Sequence, residues 1–116
     1  MTDKIEIGRL GENLAANYMA ARGWEIVKRN FRYGKAEIDL IVKKDDWLLF
    51  IEVKTRSSSD YGEPEAFVDD KKIFQIHYAA EEYIFSRDWK GKVRFDVIAV
   101  KLGNPPVVEH FEDAIS

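Results

Sequence analysis

Four ionisable residues fall where the surrounding sequence leaves little room for charge. Glu37 and Asp39 lie in E-I-D-L-I-V, Glu52 and Lys54 lie in W-L-L-F-I-E-V-K, and K-K-D-D joins the two segments. Both segments read as β-strands, and charge inside a buried strand is costly unless it is paired or metal-bound. Side chains alternate across a strand, so Glu37, Asp39 and Ile41 share one face, as do Leu48, Phe50, Glu52 and Lys54. A two-residue turn at Asp45-Asp46 pairs Lys44 with Trp47, sets Asp39 opposite Glu52 and sets Glu37 opposite Lys54. A longer even-length loop slides the register by two and keeps all four on one face, whereas an odd-length loop would separate them. Facing carboxylates repel. A divalent cation held by oxygen ligands, with a lysine beside it, is the chemistry that would compensate.

The same pattern is also compatible with an exposed sheet face carrying a Glu37–Lys54 cross-strand pair and an incidental Asp39. Leu48 and Phe50 on that face argue for at least partial burial, and burial favours the metal-bound alternative.

The elements that must hold this hairpin are legible on either side of it. A helix is expected from about Asp3 to Arg22, capped by Thr2 or Asp3 and stopped by Gly23. Ile7, Leu10, Leu14 and Tyr18 form its apolar stripe, with Gly11 and Ala15 beside it. Gly8 and Gly11 each cost roughly 1 kcal/mol against alanine in a helix, so close backbone packing is expected at both. Glu12 falls on the edge of the stripe and matters chemically only if that edge faces the hairpin acids. Trp24 to Tyr33 reads as a strand, with Trp24 and Ile26 on one face and Val27, Arg29 and Phe31 on the other. Tyr33-Gly34-Lys35 then turns it into the Glu37 strand, giving a three-strand antiparallel meander. Arg32 beside this turn is a surface charge or a phosphate contact.

From Arg56 to Glu65 the sequence becomes a polar loop with Gly and Pro breakers. A second helix follows from about Asp70 to Arg87, capped by Asp69 or Asp70, with Ile73, Ile76, His77, Ala80, Tyr83 and Ile84 inward. His77 in that stripe reads as a packed core histidine, and His110 has no evident partner. V-R-F-D-V-I-A-V after Gly91 is a central or near-central strand, and Asp96 within it is a second candidate buried acid. Strand, helix, strand from residue 47 to 101 implies a right-handed crossover and a parallel pairing. The tail after Gly103 can add a short edge strand.

The 116 residues suit one domain (1–116, core about 3–101, tail 102–116) with a real core, and 46% apolar with 34% charged residues is ordinary globular composition. With no cysteine there is neither a disulfide framework nor a thiolate metal site. No apolar run reaches the ~18 residues of a membrane span and no signal-peptide layout is present, so the chain reads as soluble and cytoplasmic. A net charge of −3 and a pI near 5.4 argue against strong non-specific nucleic-acid binding. The basic residues gather locally, with Lys28, Arg29, Arg32, Lys35, Lys43, Lys44, Lys54 and Arg56 around the hairpin. Phosphate-binding glycine loops, zinc spacings and serine- or cysteine-nucleophile signatures are absent.

The order helix, three-strand meander, helix, strand, with an acid on the second strand and E-x-K on the third, resembles the PD-(D/E)xK nuclease superfamily. G-x-L-G-E-N-L-A at Gly8–Ala15, A-E-I-D-L-I at Ala36–Ile41, F-I-E-V-K-T-R at Phe50–Arg56 and R-F-D-V-I-A-V at Arg94–Val100 are similar to the YraN-like family of predicted endonucleases, distantly similar to archaeal Holliday-junction resolvases. The resemblance spans about Ile7 to Val100. It implies an α/β, restriction-endonuclease-like fold with a mixed central sheet flanked by helices. It further implies that Asp39, Glu52 and the Val53 carbonyl bind Mg2+ or Mn2+, with Glu12 as an additional acid and Lys54 as the catalytic lysine. Arg32 and Arg56 would then meet nucleic acid, DNA being the expected partner, and a homodimer is the assembly that junction-resolving enzymes suggest. Two departures stand out: Ala36 replaces the more usual glycine, and Ile38 stands in place of the proline before the aspartate. Beside a metal-dependent endonuclease, the pattern also fits a non-catalytic nucleic-acid-binding module that retains the fold, or an interaction protein whose hairpin acids are surface charge.

Overall fold

The computed structural model describes residues 3–57 and 68–115. Most of the polar loop after Arg56 (residues 58–67) and the alternative cap Thr2 lie outside them. The order is α1 (Lys4–Ala21), β1 (Glu25–Tyr33), β2 (Ala36–Lys44), β3 (Trp47–Arg56), α2 (Asp70–Ser86), β4 (Lys92–Lys101) and β5 (Val107–Phe111). The five strands form one sheet in sequential order, β1-β2-β3-β4-β5. Only β3 and β4 are parallel, as expected when a helix connects consecutive strands. This mixed α/β architecture is compatible with a restriction-endonuclease-like fold.

Local chemistry sets the element ends. Asp3 accepts the Glu6 N–H at 2.8 Å and Asp69 accepts the Lys72 N–H at 2.8 Å, so both helices begin on an aspartate N-cap. Gly23, with φ 91°, ends α1 as expected. Both hairpin turns are two residues long, closed by Tyr33↔Ala36 and Lys44↔Trp47. Gly34 and Asp45 take the positive φ that such turns require, 62° and 54°.

The helices cover opposite faces. On one, Ala15, Ala16 and Met19 of α1 pack on Leu40, Val42, Leu49, Ile51, Ile98 and Val100. On the other, Ile76, Ala79, Ala80 and Tyr83 of α2 pack on Phe31, Ile38, Ile41, Phe50 and Val97. The buried face of α1 therefore differs from the expected large-residue stripe: Leu14 and Tyr18 are only partly buried, and Leu10 is 42% exposed. The reason is Gly11. Its missing side chain lets α1 settle on Thr55, whose Cγ2 would lie 2.6 Å from an added Cβ, so the small Gly/Ala face turns inward. Gly8 has no such role among the described residues, where a side chain would meet nothing within 4 Å. Arg29 also departs from expectation. It donates to Asn13 Oδ1 of α1 at 2.7 Å, because a bulge between Ile26 and Lys28 shifts the register of β1.

The tail is integrated into the sheet. β5 pairs antiparallel with β4, and Ile115 is buried in the α2-side core. No helix among the described residues is long and apolar enough to cross a membrane.

Candidate active site

The β2–β3 ladder runs from Lys44↔Trp47 to Leu40↔Ile51 and stops there. Below that point β2 stays with β1 through Phe31↔Ile38 and Arg32↔Glu37 and leaves β3 behind. Asp39 is the first residue past the fork. In a two-residue hairpin alternate residues of β3 point their backbone groups at β2, and Val53 is next in that series after Leu49 and Ile51. Its N–H finds no strand there and instead donates to Asp39 Oδ2 at 2.8 Å. The same strand geometry turns the Val53 carbonyl into the fork. A carboxylate, a neighbouring strand end and a backbone carbonyl therefore meet where the sheet opens.

The fork revises the expected pairing of Glu37. Its side chain accepts from Arg32 Nε at 2.9 Å, across β1–β2, and does not support Lys54. Arg32 is accordingly an exposed ion-pair partner at the sheet edge, its side chain 77% accessible. Lys54 instead lies 3.8 Å from Glu52 Oε2.

Asp39 and Glu52 are both buried. Burial, then the like charge of Glu52, push the Asp39 carboxyl up to about 7, a carboxyl hydrogen bond with Glu52 adds to this, and the Val53 N–H and the Lys72 charge oppose it. Among the described residues Glu52 Oε1 is enclosed yet has no hydrogen-bond partner, and Lys72 Nζ is 3.8 Å away, beyond hydrogen-bond distance. An enclosed carboxylate oxygen lacking a partner is an energetic defect in the isolated chain. Lys54 and Lys72 thus lie on either side of Glu52, with the Asp39 carboxyl beside it.

Glu12 does face this cluster. Burial and the Asp39 charge raise its carboxyl, while Asn30 hydrogen-bonds to it and Arg29 attracts it. Among the described residues, however, no three carboxyl or imidazole side chains converge into a metal cage of their own. Two carboxylates and a backbone carbonyl suit Mg2+, which keeps several of its waters. The donors present thus fit a hard cation of this type. Arg56 ends β3, its carbonyl accepting from Leu102 N at 2.9 Å.

Lys72 is the residue that sequence reading missed. It stands in the first turn of α2, directly after Lys71. Two cations at a helix N-terminus oppose the helix dipole, and that local cost was the available signal. His77 packs against Phe95, ring centroids 4.3 Å apart, as its place in the stripe suggested. The other buried acid, Asp96, is fully occupied. Arg94 donates to both its oxygens at 2.9 Å, the Asp113 N–H reaches Oδ1 at 2.9 Å and His110 meets Oδ2 at 2.7 Å. It is a structural anchor, and it supplies His110 with a partner.

Proteins similar to this chain share nearly its whole length. A UPF0102 protein of Flavobacterium psychrophilum is 42% identical over 98% of this chain and 97% of its own. One from Cytophaga hutchinsonii is 42% identical over 90% and 93%, and one from Rhodococcus opacus is 42% identical over 98% and 99%. Residues 11–100, the span that carries Glu12, the fork, Lys72 and Asp96, match the family described as uncharacterised protein family UPF0102, and the chain belongs to that family.

Proposed function

We propose that this protein is a divalent-metal-dependent endonuclease that hydrolyses phosphodiester bonds in DNA, with structured or branched DNA as its substrate. The observation that carries this reading is Glu52, beside Asp39 and between two lysines, whose enclosed Oε1 has no hydrogen-bond partner among the described residues. A purely structural acid would resemble Asp96, with every oxygen bonded.

Asp39, Glu52 and the Val53 carbonyl would hold Mg2+ or Mn2+, and Glu12 would act through a bound water. The chemistry supplied by such a cation is activation of water and neutralisation of phosphate charge. Lys54, on the Glu52 face of β3, orients the attacking water and stabilises the negative charge that develops on the phosphate. Lys72, 3.8 Å from Glu52 Oε1, would offset the negative charge of the acid pair. Arg32 and Arg56 contribute flanking positive charge toward the DNA backbone. With no sequence-reading element among the described residues, backbone and shape are the recognised features.

The deciding experiment offers duplex, flapped, junction and single-stranded DNA to the protein with Mg2+ or Mn2+. Cleavage by wild type is expected, with losses on the order of a hundredfold or more in Asp39→Asn and Lys54→Ala at unchanged melting temperature or above. Cleavage of none of these substrates would count decisively against the enzyme. Binding without cleavage would favour the non-catalytic module instead.

A further inference from the structure

Two grooves adjoin on the outer side of α1 and share Lys4, Gly8 and Glu12 as a common wall. The inner one, about 400 Å³, opens onto Val53 and Thr55 of β3 and so reaches the fork. The outer one, about 560 Å³, continues away from it past Arg9, Asn13 and Arg29. The outer lining carries three cationic side chains (Lys4, Arg9, Arg29) against one carboxylate, Glu12, in a chain whose net charge is −3. Lys4 and Arg9 are exposed, and Arg29 is steadied by its bond to Asn13.

Gly8 supplies an independent observation. A glycine inside a helix costs roughly 1 kcal/mol against alanine. Gly11 has a packing reason in Thr55, but around Gly8 nothing lies within 4 Å among the described residues. One use of a helical glycine that nothing among the described residues takes up is to let another molecule approach the backbone closely.

We propose that this double groove is a track for the phosphodiester backbone, seating the DNA segment next to the bond to be cut, with Gly8 at the point of closest approach. The proposal rests on the nuclease reading for the identity of its ligand. Backbone contact by a few cations is compatible with an acidic protein, since the attraction is local and screened by salt within about 10 Å.

The test titrates the full chain into fluorescein-labelled duplex and flapped DNA, following anisotropy across a salt series. Gly8→Leu, which changes no charge and enters open space, is expected to weaken binding on the order of tenfold while melting no lower than wild type. Arg9→Ala and Lys4→Ala are each expected to lower the salt slope by about 1. Wild-type affinity in a folded Gly8→Leu protein overturns the proposal, and so does an unchanged salt slope in both cation variants. If wild type cuts DNA and Gly8→Leu binds and cuts equally well, the groove fails and the nuclease reading stands. If binding depends on Gly8 and Arg9 but no metal supports cleavage, the nuclease reading fails and the groove stands. Absence of any binding by wild type overturns both.

Discussion

At the residue scale, Asp39 and Glu52 illustrate a stability cost retained at a candidate site. Two buried carboxyls close enough to hydrogen-bond are stable together only when one is protonated or a cation lies between them. Removing one acid should therefore stabilise the protein in metal-free buffer. Asp39→Asn is expected to melt several degrees above wild type at pH 8, consistent with roughly 1–2 kcal/mol for relieving one buried like-charge contact. Added Mg2+ should raise the wild-type melting temperature by mass action and leave the variant nearly unmoved. A metal-insensitive wild type, or a variant less stable than wild type, would refute the reading of this pair as a cation site.

At the element scale, the two glycines of α1 have opposite roles. An added methyl at Gly11 would press on Thr55 backbone-proximal atoms, Cγ2 at 2.6 Å among them. Overpacking of that kind costs roughly 1–3 kcal/mol and outweighs the gain in helix propensity. Gly11→Ala should consequently lower the melting temperature, and because Glu12 is the next residue, it should also disturb the acid facing Asp39. Gly8→Ala should do the reverse, gaining up to about 1 kcal/mol of stability. Paired thermal melts of these variants check the assignment, and equal effects at both positions would contradict it. The β2–β3 fork belongs to this scale too. It is the feature that frees the Val53 N–H for Asp39 and redirects Glu37 to Arg32.

For the molecule as a whole, Asp96 ties the C-terminal segment to the sheet. Burial alone would push its carboxyl up, yet hydrogen bonds from His110, Arg94 and the Asp113 N–H bring it below the usual carboxylate range. The sign follows from linkage: a folded-state value below the unfolded one adds stability above the unfolded value, and that stability is lost as pH falls through the folded one. Acid unfolding should therefore steepen below about pH 4, the ordinary aspartate value. Asp96→Ala strands Arg94 and frees β5, and should cost roughly 3–5 kcal/mol, as breaking other buried ion pairs does. Urea melts at neutral pH against pH 3 would measure both effects, and a variant with wild-type stability would refute the anchor.

The sequence by itself determined the elements and their order, narrowed each helix cap to two neighbouring residues and located both hairpin turns. These are local properties, set by side-chain alternation, capping and turn chemistry within a few residues. Only the tertiary structure decided which acids have partners. Lys72 comes from a helix remote in sequence, Glu37 is captured by a neighbouring strand, and His110 reaches Asp96 only because β5 docks. The inward face of α1 was likewise decided by contact, since Gly11 and Thr55 are far apart along the chain and their close approach rotates the helix away from its larger residues. Strand alternation put Ile38 on the face of Leu40 and Val42. In the structure Ile38 packs with Ile41 on the α2 side and Leu40 and Val42 face α1, so the alternation breaks at Asp39. Alternation could not reveal that the sheet parts at Asp39, because the end of a ladder depends on what packs on either side of it.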